Sequence, residues 1–177
     1  MPERVIVFID GSNFYHGMKR NLRRTDVDIH KLCRKLAGKR ELKQIMFYGA
    51  PLIQQDDPDA YRAQQRFFNR IRSIPNLTLK FGRLEKRRKE NVSYIVEKRV
   101  DVLVAVDLLE TAFEKEYDTD ILVSGDGDQV PAVEAAKKRG VRVENAYFCL
   151  GRSDALRRAC HRYTLLDSKW LKDCLIK

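Results

Sequence analysis

Short runs of apolar residues alternate along the chain with longer stretches in which apolar residues recur every three or four positions. The short runs are bounded by polar residues, glycine or proline, as is typical of strands in a buried sheet, and they occur at 5–9, 45–49, 77–81, 121–123, 141–148 and 163–166. The longer stretches have the spacing of helices that bury one face, and they occur at 12–22, 28–36, 59–72, 129–139, 153–160 and 168–175. The alternation predicts an α/β fold in which helices sandwich a central, mostly parallel sheet.

One further helix is predicted, which the residues 97–101 open and in which apolar residues cover most of the helix surface at 102–113. Such a helix is normally buried on most sides, and we expect the same here. Asp107 interrupts the apolar run and lies about 120° around the helix from Asp101 at its start. We therefore expect Asp107 at the margin of any site that contains Asp101, or outside it, as the structural partner of a buried base such as Lys98 or an arginine.

The length of 177 residues suits one domain covering 1–177, and no proline-, glycine- or serine-rich linker divides it. The apolar run at 5–9 is too short for a secretion signal, and no run is long enough to span a membrane. The four cysteines have neither Cys-x-x-Cys spacing nor neighbouring histidines that would complete a zinc site. We therefore expect a cytoplasmic protein with reduced thiols and no membrane partner.

Aspartates follow two of the predicted strands where each strand ends. Asp10 follows the run at 5–9, and Asp126 and Asp128 follow the run at 121–123 in a turn with two glycines. Distant residues at the carboxyl ends of parallel strands share one crevice where the strand order reverses, so Asp10 and Asp126 should be neighbours. Crowded carboxylates repel one another, and a hard divalent metal is their usual partner. The alternative is that these aspartates only cap helices.

Two more residues fit either a site or a helix cap. The amide of Asn13 can hold a phosphate or a metal-bound water, or it can cap the helix at 12–22. Asp101 begins the central helix, where the helix dipole favours a carboxylate, and the same position can direct it into the acidic crevice. The sequence leaves both alternatives open.

Basic residues are concentrated in the segment 62–90. The chain has a net charge of +10, and this segment holds ten lysines and arginines against two glutamates. Arg62, Arg66 and Arg70 recur every four residues along one helix face, and a basic loop follows that includes 86–89. A solvated loop is one explanation. Because neutralised phosphates release counterions and give sequence-independent affinity, we favour a track for a nucleic-acid backbone, with an anionic membrane surface as the weaker alternative.

Four motifs follow in order along nearly the whole chain: Phe8-Ile9-Asp10-Gly11-Ser12-Asn13, Lys98-Arg99-Val100-Asp101-Val102, Val123-Ser124-Gly125-Asp126-Gly127-Asp128 and Gly140-Val141-Arg142-Val143. With these motifs the chain resembles the NYN domain of the PIN-like nuclease superfamily, in its bacterial LabA-like branch. The resemblance implies a Rossmann-like sheet, an acidic pocket that binds Mg²⁺ or Mn²⁺, and hydrolysis of RNA. Gln129 and His161 depart from the family pattern, which usually has an aromatic or apolar residue at the first position and commonly an aspartate at the second.

The residues and the resemblance together predict a metal-dependent ribonuclease with a site of the two-cation type. The expected catalytic residues are Asp10, Asp101, Asp126 and Asp128. Three of these, Asp10, Asp126 and Asp128, are the expected metal ligands. Contacts with the substrate are expected from Asn13, Ser124, Arg62, Arg66, Arg70, Arg87 and Arg88. RNA is favoured over DNA as the partner, and a homodimer is a further expectation.

Two other functions fit part of the same pattern. A phosphatase of the haloacid-dehalogenase type also has a Gly-Asp-Gly turn near its metal, but it needs an acid two residues after its nucleophilic aspartate, and Ser12 occupies that position here. A nucleic-acid-binding or regulatory module of the same fold, with little or no turnover, stays open, because an intact set of ligands permits catalysis without proving it.

Overall fold

The computed structural model describes residues 2–176, which form eight strands and seven α-helices. The strands are β1 (Arg4–Asp10), β2 (Glu41–Gly49), β3 (Leu77–Phe81), β4 (Arg83–Lys89), β5 (Val92–Lys98), β6 (Thr119–Val123), β7 (Arg142–Tyr147) and β8 (Arg162–Leu165). The helices are α1 (Gly11–Leu22), α2 (Ile29–Ala37), α3 (Pro58–Arg72), α4 (Val100–Glu114), α5 (Val130–Lys138), α6 (Asp154–Ala159) and α7 (Ser168–Leu171). Short 3₁₀ turns occupy Gly127–Gln129 and Lys172–Cys174.

The main sheet has six strands in the order β3-β2-β1-β6-β7-β8, and every neighbouring pair is parallel. From β1 the chain moves outward through β2 to β3, and from β6 it moves outward in the opposite direction through β7 to β8. The strand order therefore reverses between β1 and β6, which lie side by side with Ile9 opposite Val123. This switch point is where open α/β sheets place their ligands.

The two faces of the sheet are each covered by helices, and this explains the apolar run in β1. Val7 and Ile9 pack into the core formed with α1, α2 and α3, while Ile6 and Phe8 pack into the core formed with α4, α5 and α6. A strand that is buried on both faces has no polar side, so its sequence is continuously apolar. The predicted α/β fold, with a parallel sheet between helices, is confirmed.

The segment that follows β3 differs from the basic loop predicted there. β4 and β5 form an antiparallel hairpin separate from the main sheet, with Lys89 opposite Val92. Its two turn residues, Glu90 and Asn91, both have positive φ, which matches the tight hairpin turn that favours asparagine. The strand was missed because β4 has one apolar residue among seven, so its sequence lacks the alternation of a half-buried strand.

The prediction that the central helix is buried on most sides is wrong. α4 packs one side against the sheet and α5, and it leaves Val102 65% and Phe113 57% exposed. The exposed ring of Phe113 is covered in part by the guanidinium of Arg139, 4.0 Å from the ring centroid. An apolar sequence all around a helix is therefore not sufficient for burial here, because the side of α4 that faces away from the sheet and α5 is left largely exposed within residues 2–176. No helix in this range is long and apolar enough to cross a bilayer.

Candidate acidic active site

Asp10 is the last residue of β1, and it is buried directly at the switch point. Its side chain is 4% exposed, and its carboxylate accepts hydrogen bonds from the Asn13 N–H at 3.0 Å and the Ser124 hydroxyl at 3.4 Å. Burial raises the pKa of Asp10 to about 6, and the nearby charges of Asp101 and Asp126 act in the same direction. The carboxylate therefore lacks compensating positive charge.

A glycine allows the chain to turn sharply after Asp10. A Cβ at Gly11 would collide with the backbone oxygen of Tyr48 on the neighbouring β2. Because Gly11 has no side chain, α1 begins immediately after β1, and the Asp10 side chain caps its first turn. The predicted capping role of Asp10 and its place in a pocket are thus compatible, since the two oxygens of one carboxylate serve different neighbours.

The turn after β6 presents Asp126 to the same crevice. The Asp126 N–H donates to the Ser124 hydroxyl at 3.1 Å, and one oxygen of Asp126 accepts from the Asp128 N–H at 2.9 Å. Ser124 is 2% exposed and bonds to both Asp10 and the turn. Its expected contact with substrate stays a prediction, because the structure places this hydroxyl beneath the carboxylates and not on the pocket lining.

Asn13 joins the two acidic segments. Its side-chain oxygen accepts a hydrogen bond from the Gly125 N–H at 2.8 Å, across the gap between α1 and the turn after β6. A Cβ at Gly125 would in addition collide with the backbone oxygen of Gly151, so the turn is held closely on both sides. Asn13 lines the pocket, and the oxygen of its amide is already engaged in holding the turn.

The first turn of α4 brings a third aspartate to the pocket. Burial raises the pKa of Asp101, and repulsion by Asp126 and Asp128 adds to the shift. Gln129, which is 3% exposed, donates from its amide nitrogen to the backbone oxygen of Asp101 at 3.3 Å. The polar residue that departs from the family pattern therefore ties the start of α4 to the acidic turn.

Glu97 is the site residue that the sequence analysis missed. It lies near the end of β5, and it lines the same pocket as Asp10 and Asp101. Burial raises the pKa of Glu97 to about 7, and the charges of Asp10 and Asp101 contribute to the shift. Its position four residues before Asp101 is plain in the sequence, but the pattern there predicted the start of a helix. Only the β4–β5 hairpin, whose second strand leads into α4, directs Glu97 into the crevice.

These residues surround a cavity of about 250 Å³. Four carboxylates, those of Asp10, Glu97, Asp101 and Asp126, form one part of its lining, and residues of α1 form another. Asp128 is exposed and does not line the cavity; it acts on the site through its charge and through the turn. The structure thus brings three of the four predicted acids together and adds Glu97.

Asp107 lies outside this cavity, in a buried contact of its own. Its two oxygens accept hydrogen bonds from the Tyr48 hydroxyl and the Lys80 ammonium, each at 2.7 Å. The partner suggested from the sequence, Lys98, is therefore wrong, because the cation that contacts Asp107 is Lys80 of β3, the register partner of Tyr48 on β2. The contact fixes α4 against the sheet.

The predicted basic track is on the surface and does not reach the acidic cavity. Its arginines, all exposed and none of them part of the cavity lining, are Arg62, Arg66, Arg70, Arg87 and Arg88. Several cations of this segment have acidic neighbours: Arg62 pairs with Asp59, and Lys86 pairs with Asp56. The positive charge of the track is therefore partly neutralised by the protein itself.

The carboxylates have the donor chemistry of a site for a hard divalent cation. Burial, with a further contribution from the neighbouring carboxylates, raises the pKa values of Asp10 and Glu97. Within residues 2–176, no three His, Cys, Asp or Glu side chains are already close enough together to enclose an ion. The described residues thus bring carboxylates to one cavity without forming a closed cage of ligands.

Comparison with known proteins places this geometry in a family. A family model of the NYN domain matches residues 4–167, and the chain belongs to the NYN domain family, which is generally one of nucleases. The chain is 26% identical over 170 residues to the low amplitude and bright protein LabA of Synechococcus elongatus, covering 94% of this chain and 85% of that protein.

A solved structure supports the fold. The chain superposes with a TM-score of 0.74 on the crystal structure of a protein of unknown function from Vibrio parahaemolyticus. The sequences are 22% identical, and the match covers 99% of this chain and 97% of that one. At this identity the likeness bears on the fold alone, and it supports the strand order and the helical layers described above.

Proposed function

We propose that the protein is a metal-dependent ribonuclease that hydrolyses RNA phosphodiester bonds at the acidic cavity. The observation that carries the proposal is the convergence of Asp10, Glu97, Asp101 and Asp126, from four separate elements, on one cavity at the switch point of the sheet. Membership of the NYN family, which is generally one of nucleases, supports the same class of reaction.

The ligands for a cation are proposed to be Asp10 and Asp126, assisted by Asp101. Asp128, expected as a ligand from the sequence, is proposed to act through its charge, since it does not line the cavity. Mg²⁺ or Mn²⁺ supplies, when bound, the positive charge that activates a water and stabilises the phosphate under attack. No nucleophilic side chain is needed for this chemistry.

Glu97 is proposed to act as the general base of the reaction, which accepts the proton of the attacking water. In the metal-free protein burial raises the pKa of Glu97 to about 7, so this carboxyl group changes its protonation state near neutral pH, as a general base or acid does. Glu97 lies on β5, apart from the strand ends that carry Asp10 and Asp126, so it can accept a proton from an attacking water without giving up a place as a ligand.

RNA is the proposed substrate, and the net charge of +10 supports a polyanionic partner. The basic track on α3 and β4 is proposed to attract the RNA backbone, at a distance from the reaction. A cytoplasmic location and a homodimer stay predictions.

The experiment that tests the function is cleavage of a panel of labelled RNA and DNA oligonucleotides with Mg²⁺, with Mn²⁺ and with a chelator. The expected result is cleavage of RNA in either metal and none in the chelator. Tight binding without cleavage of any oligonucleotide, under all three conditions, would instead support a nucleic-acid-binding module with little turnover.

A further inference from the structure

One face of α1 forms a part of the cavity lining next to the carboxylates. Ser12, His16 and Arg20 are spaced four residues apart, so they lie in a row along the helix, and all three line the cavity. We call these three residues the α1 rim. The row starts beside Asp10 and leads away from it toward the last turn of α1.

The α1 rim is held rigidly by the loop after β7. Gly17 packs so closely on Phe148 that a Cβ there would collide with the ring. The Asn21 side chain bonds both backbone groups of Leu150, accepting from its N–H at 2.8 Å and donating to its oxygen at 3.1 Å. Because helix and loop are fixed to each other, the rim side chains start from a defined position.

Arg20 has room and no competing partner. Gly151 has φ +95°, and a Cβ built on it would lie 3.7 Å from Nη1 of Arg20, so the guanidinium lies against bare backbone. Within residues 2–176, Arg20 makes no ion pair, whereas Arg24 pairs with Asp26 and Arg152 pairs with Asp154. The cavity thus contains an arginine that, within residues 2–176, forms no ion pair and can contact a ligand.

A free guanidinium beside a cluster of carboxylates suits one class of ligand. The carboxylates repel an anionic strand, and a positive side chain on the cavity lining lessens that repulsion for the phosphates that no bound cation contacts. Arginine binds phosphate oxygens through a planar fork of donors, and histidine adds a ring N–H. A nucleic-acid strand supplies phosphates at regular intervals, so one can lie at the carboxylates while its neighbour lies on the rim.

We propose that Arg20, together with His16, forms a phosphate-binding subsite on the α1 rim that holds an RNA phosphate next to the one being hydrolysed. This subsite rests on the proposed function, and it gives the strand a path along α1. The phosphate can be an internal diester or the monophosphate at a 5′ end. The two have the same recognition chemistry, and oligonucleotides with and without a 5′ phosphate distinguish them.

The test is the binding of a six-nucleotide RNA, labelled at its 3′ end, measured by fluorescence anisotropy at several salt concentrations in Mg²⁺. All proteins carry Asp126→Asn so that the RNA stays intact. Arg20→Ala is compared with Lys19→Ala. The second variant also removes one positive charge, but from the preceding residue of α1, which does not line the cavity. Arg20→Gln serves as a second variant that keeps most of the side-chain length.

We expect Arg20→Ala and Arg20→Gln to weaken binding about tenfold or more, because a charge-assisted hydrogen bond to phosphate is removed. The slope of log affinity against log salt should become shallower by about 1. Lys19→Ala should change affinity less than threefold. If a 5′ phosphate strengthens binding and Arg20→Ala removes that gain, the subsite takes the end of the strand; if both RNAs lose affinity equally, it takes an internal phosphate.

Unchanged affinity and salt slope in both Arg20 variants would overturn the subsite. The result is independent of the proposed function, because binding is measured without turnover. If proteins with Asp126 intact cleave RNA with the same KM with and without Arg20, the proposed function is supported and the proposed subsite is contradicted. If the protein never cleaves RNA but binds it through Arg20, the proposed function is contradicted and the phosphate-binding subsite is supported.

Discussion

The side-chain oxygen of Asn13 lies 2.8 Å from the backbone nitrogen of Gly125 and accepts its hydrogen bond. The two residues are 112 positions apart in the sequence, and this bond connects the start of α1 with the turn after β6. Each of these segments carries an aspartate of the site. This neutral contact, which involves neither carboxylate, helps to hold Asp10 and Asp126 close together, in addition to Ser124 and the pairing of β1 with β6.

Asn13→Ala should lower the free energy of unfolding by about 1 kcal/mol, because the Gly125 N–H loses its partner. Cleavage should fall as well, since the turn that carries Asp126 is less well held. Chemical denaturation measures the first effect. Asn69→Ala is the matched control: Asn69 is an exposed helix residue whose side chain, within residues 2–176, bonds only Arg72, so its loss should change stability by less than about 0.5 kcal/mol. Equal midpoints for Asn13→Ala and the wild type would show that the bond does not hold the turn.

The metal-free protein should lose stability as the pH rises from about 4 to about 7. Burial and mutual repulsion raise the pKa of Asp10 to about 6 and of Glu97 to about 7, well above their ordinary values. At pH values between the ordinary and the raised pKa, the folded state binds more protons than the unfolded state. The stabilisation that these two carboxyl groups contribute is therefore present at low pH and is lost as the pH rises.

Thermal melts of Glu97→Gln test this dependence. An amide carries no charge at any pH, so the decrease in melting temperature between pH 5 and pH 8 should be smaller in the variant than in the wild type. Mg²⁺ should raise the melting temperature of the wild type more at pH 8 than at pH 5. Glu134→Gln, an exposed change on α5, should leave the pH dependence as it is. If the melting temperatures of the wild type and Glu97→Gln changed equally with pH, Glu97 would be excluded from the acidic cluster.

The sequence predicted the fold and part of the site for the same physical reason. A strand buried on both faces, such as β1, must be apolar throughout, and an aspartate directly after it must lie at the end of the sheet. Asp10 and Asp126 could therefore be placed as neighbours before the structure was known. From the sequence, Asp101 suited either a helix cap or a place in the acidic crevice, and the structure shows that it lines the cavity.

Glu97 and Arg20 could not be placed from the sequence because their positions depend on contacts between distant segments. Glu97 faces the cavity through the β4–β5 hairpin, whose first strand is almost entirely polar. Arg20 belongs to a general excess of basic residues, and only the loop at 148–151 shows that it lines the cavity. Exposure of Val102 was likewise unpredictable, since it depends on which side of α4 has a neighbour.

The buried contact of Asp107 should contribute to stability and not directly to the chemistry. Lys80→Met should lower the free energy of unfolding by about 1 kcal/mol or more, because it leaves the Asp107 carboxylate without its charged partner. Tyr48→Phe should cost about 1 kcal/mol for the second bond. Lys98→Met is the control, since Lys98 does not contact Asp107 in the structure. A larger loss of stability in Lys98→Met than in Lys80→Met would contradict the assignment.

The basic track should bind RNA mainly through phosphates. Charge reversal at Arg66, Arg70 and Arg87 should weaken RNA binding strongly at low salt and make its salt dependence shallower by about 1 for each phosphate that the protein no longer neutralises. Arg66→Glu alone is also compared with Lys39→Glu, a single charge reversal at an exposed residue just before β2, at the end of the sheet away from the site. If the triple reversal bound RNA as the wild type does, the track would be only a solvated surface.

The central claim is tested most directly by cleavage of labelled RNA in Mg²⁺ or Mn²⁺ with wild-type protein and Asp126→Asn purified in parallel. The amide has nearly the same shape as the carboxylate but no charge to hold a hard cation, so the variant should lose cleavage and keep RNA binding. Its metal-free melting temperature should equal or exceed that of the wild type, because repulsion among the acids is relieved. Equal cleavage rates for the two proteins would contradict the proposed site.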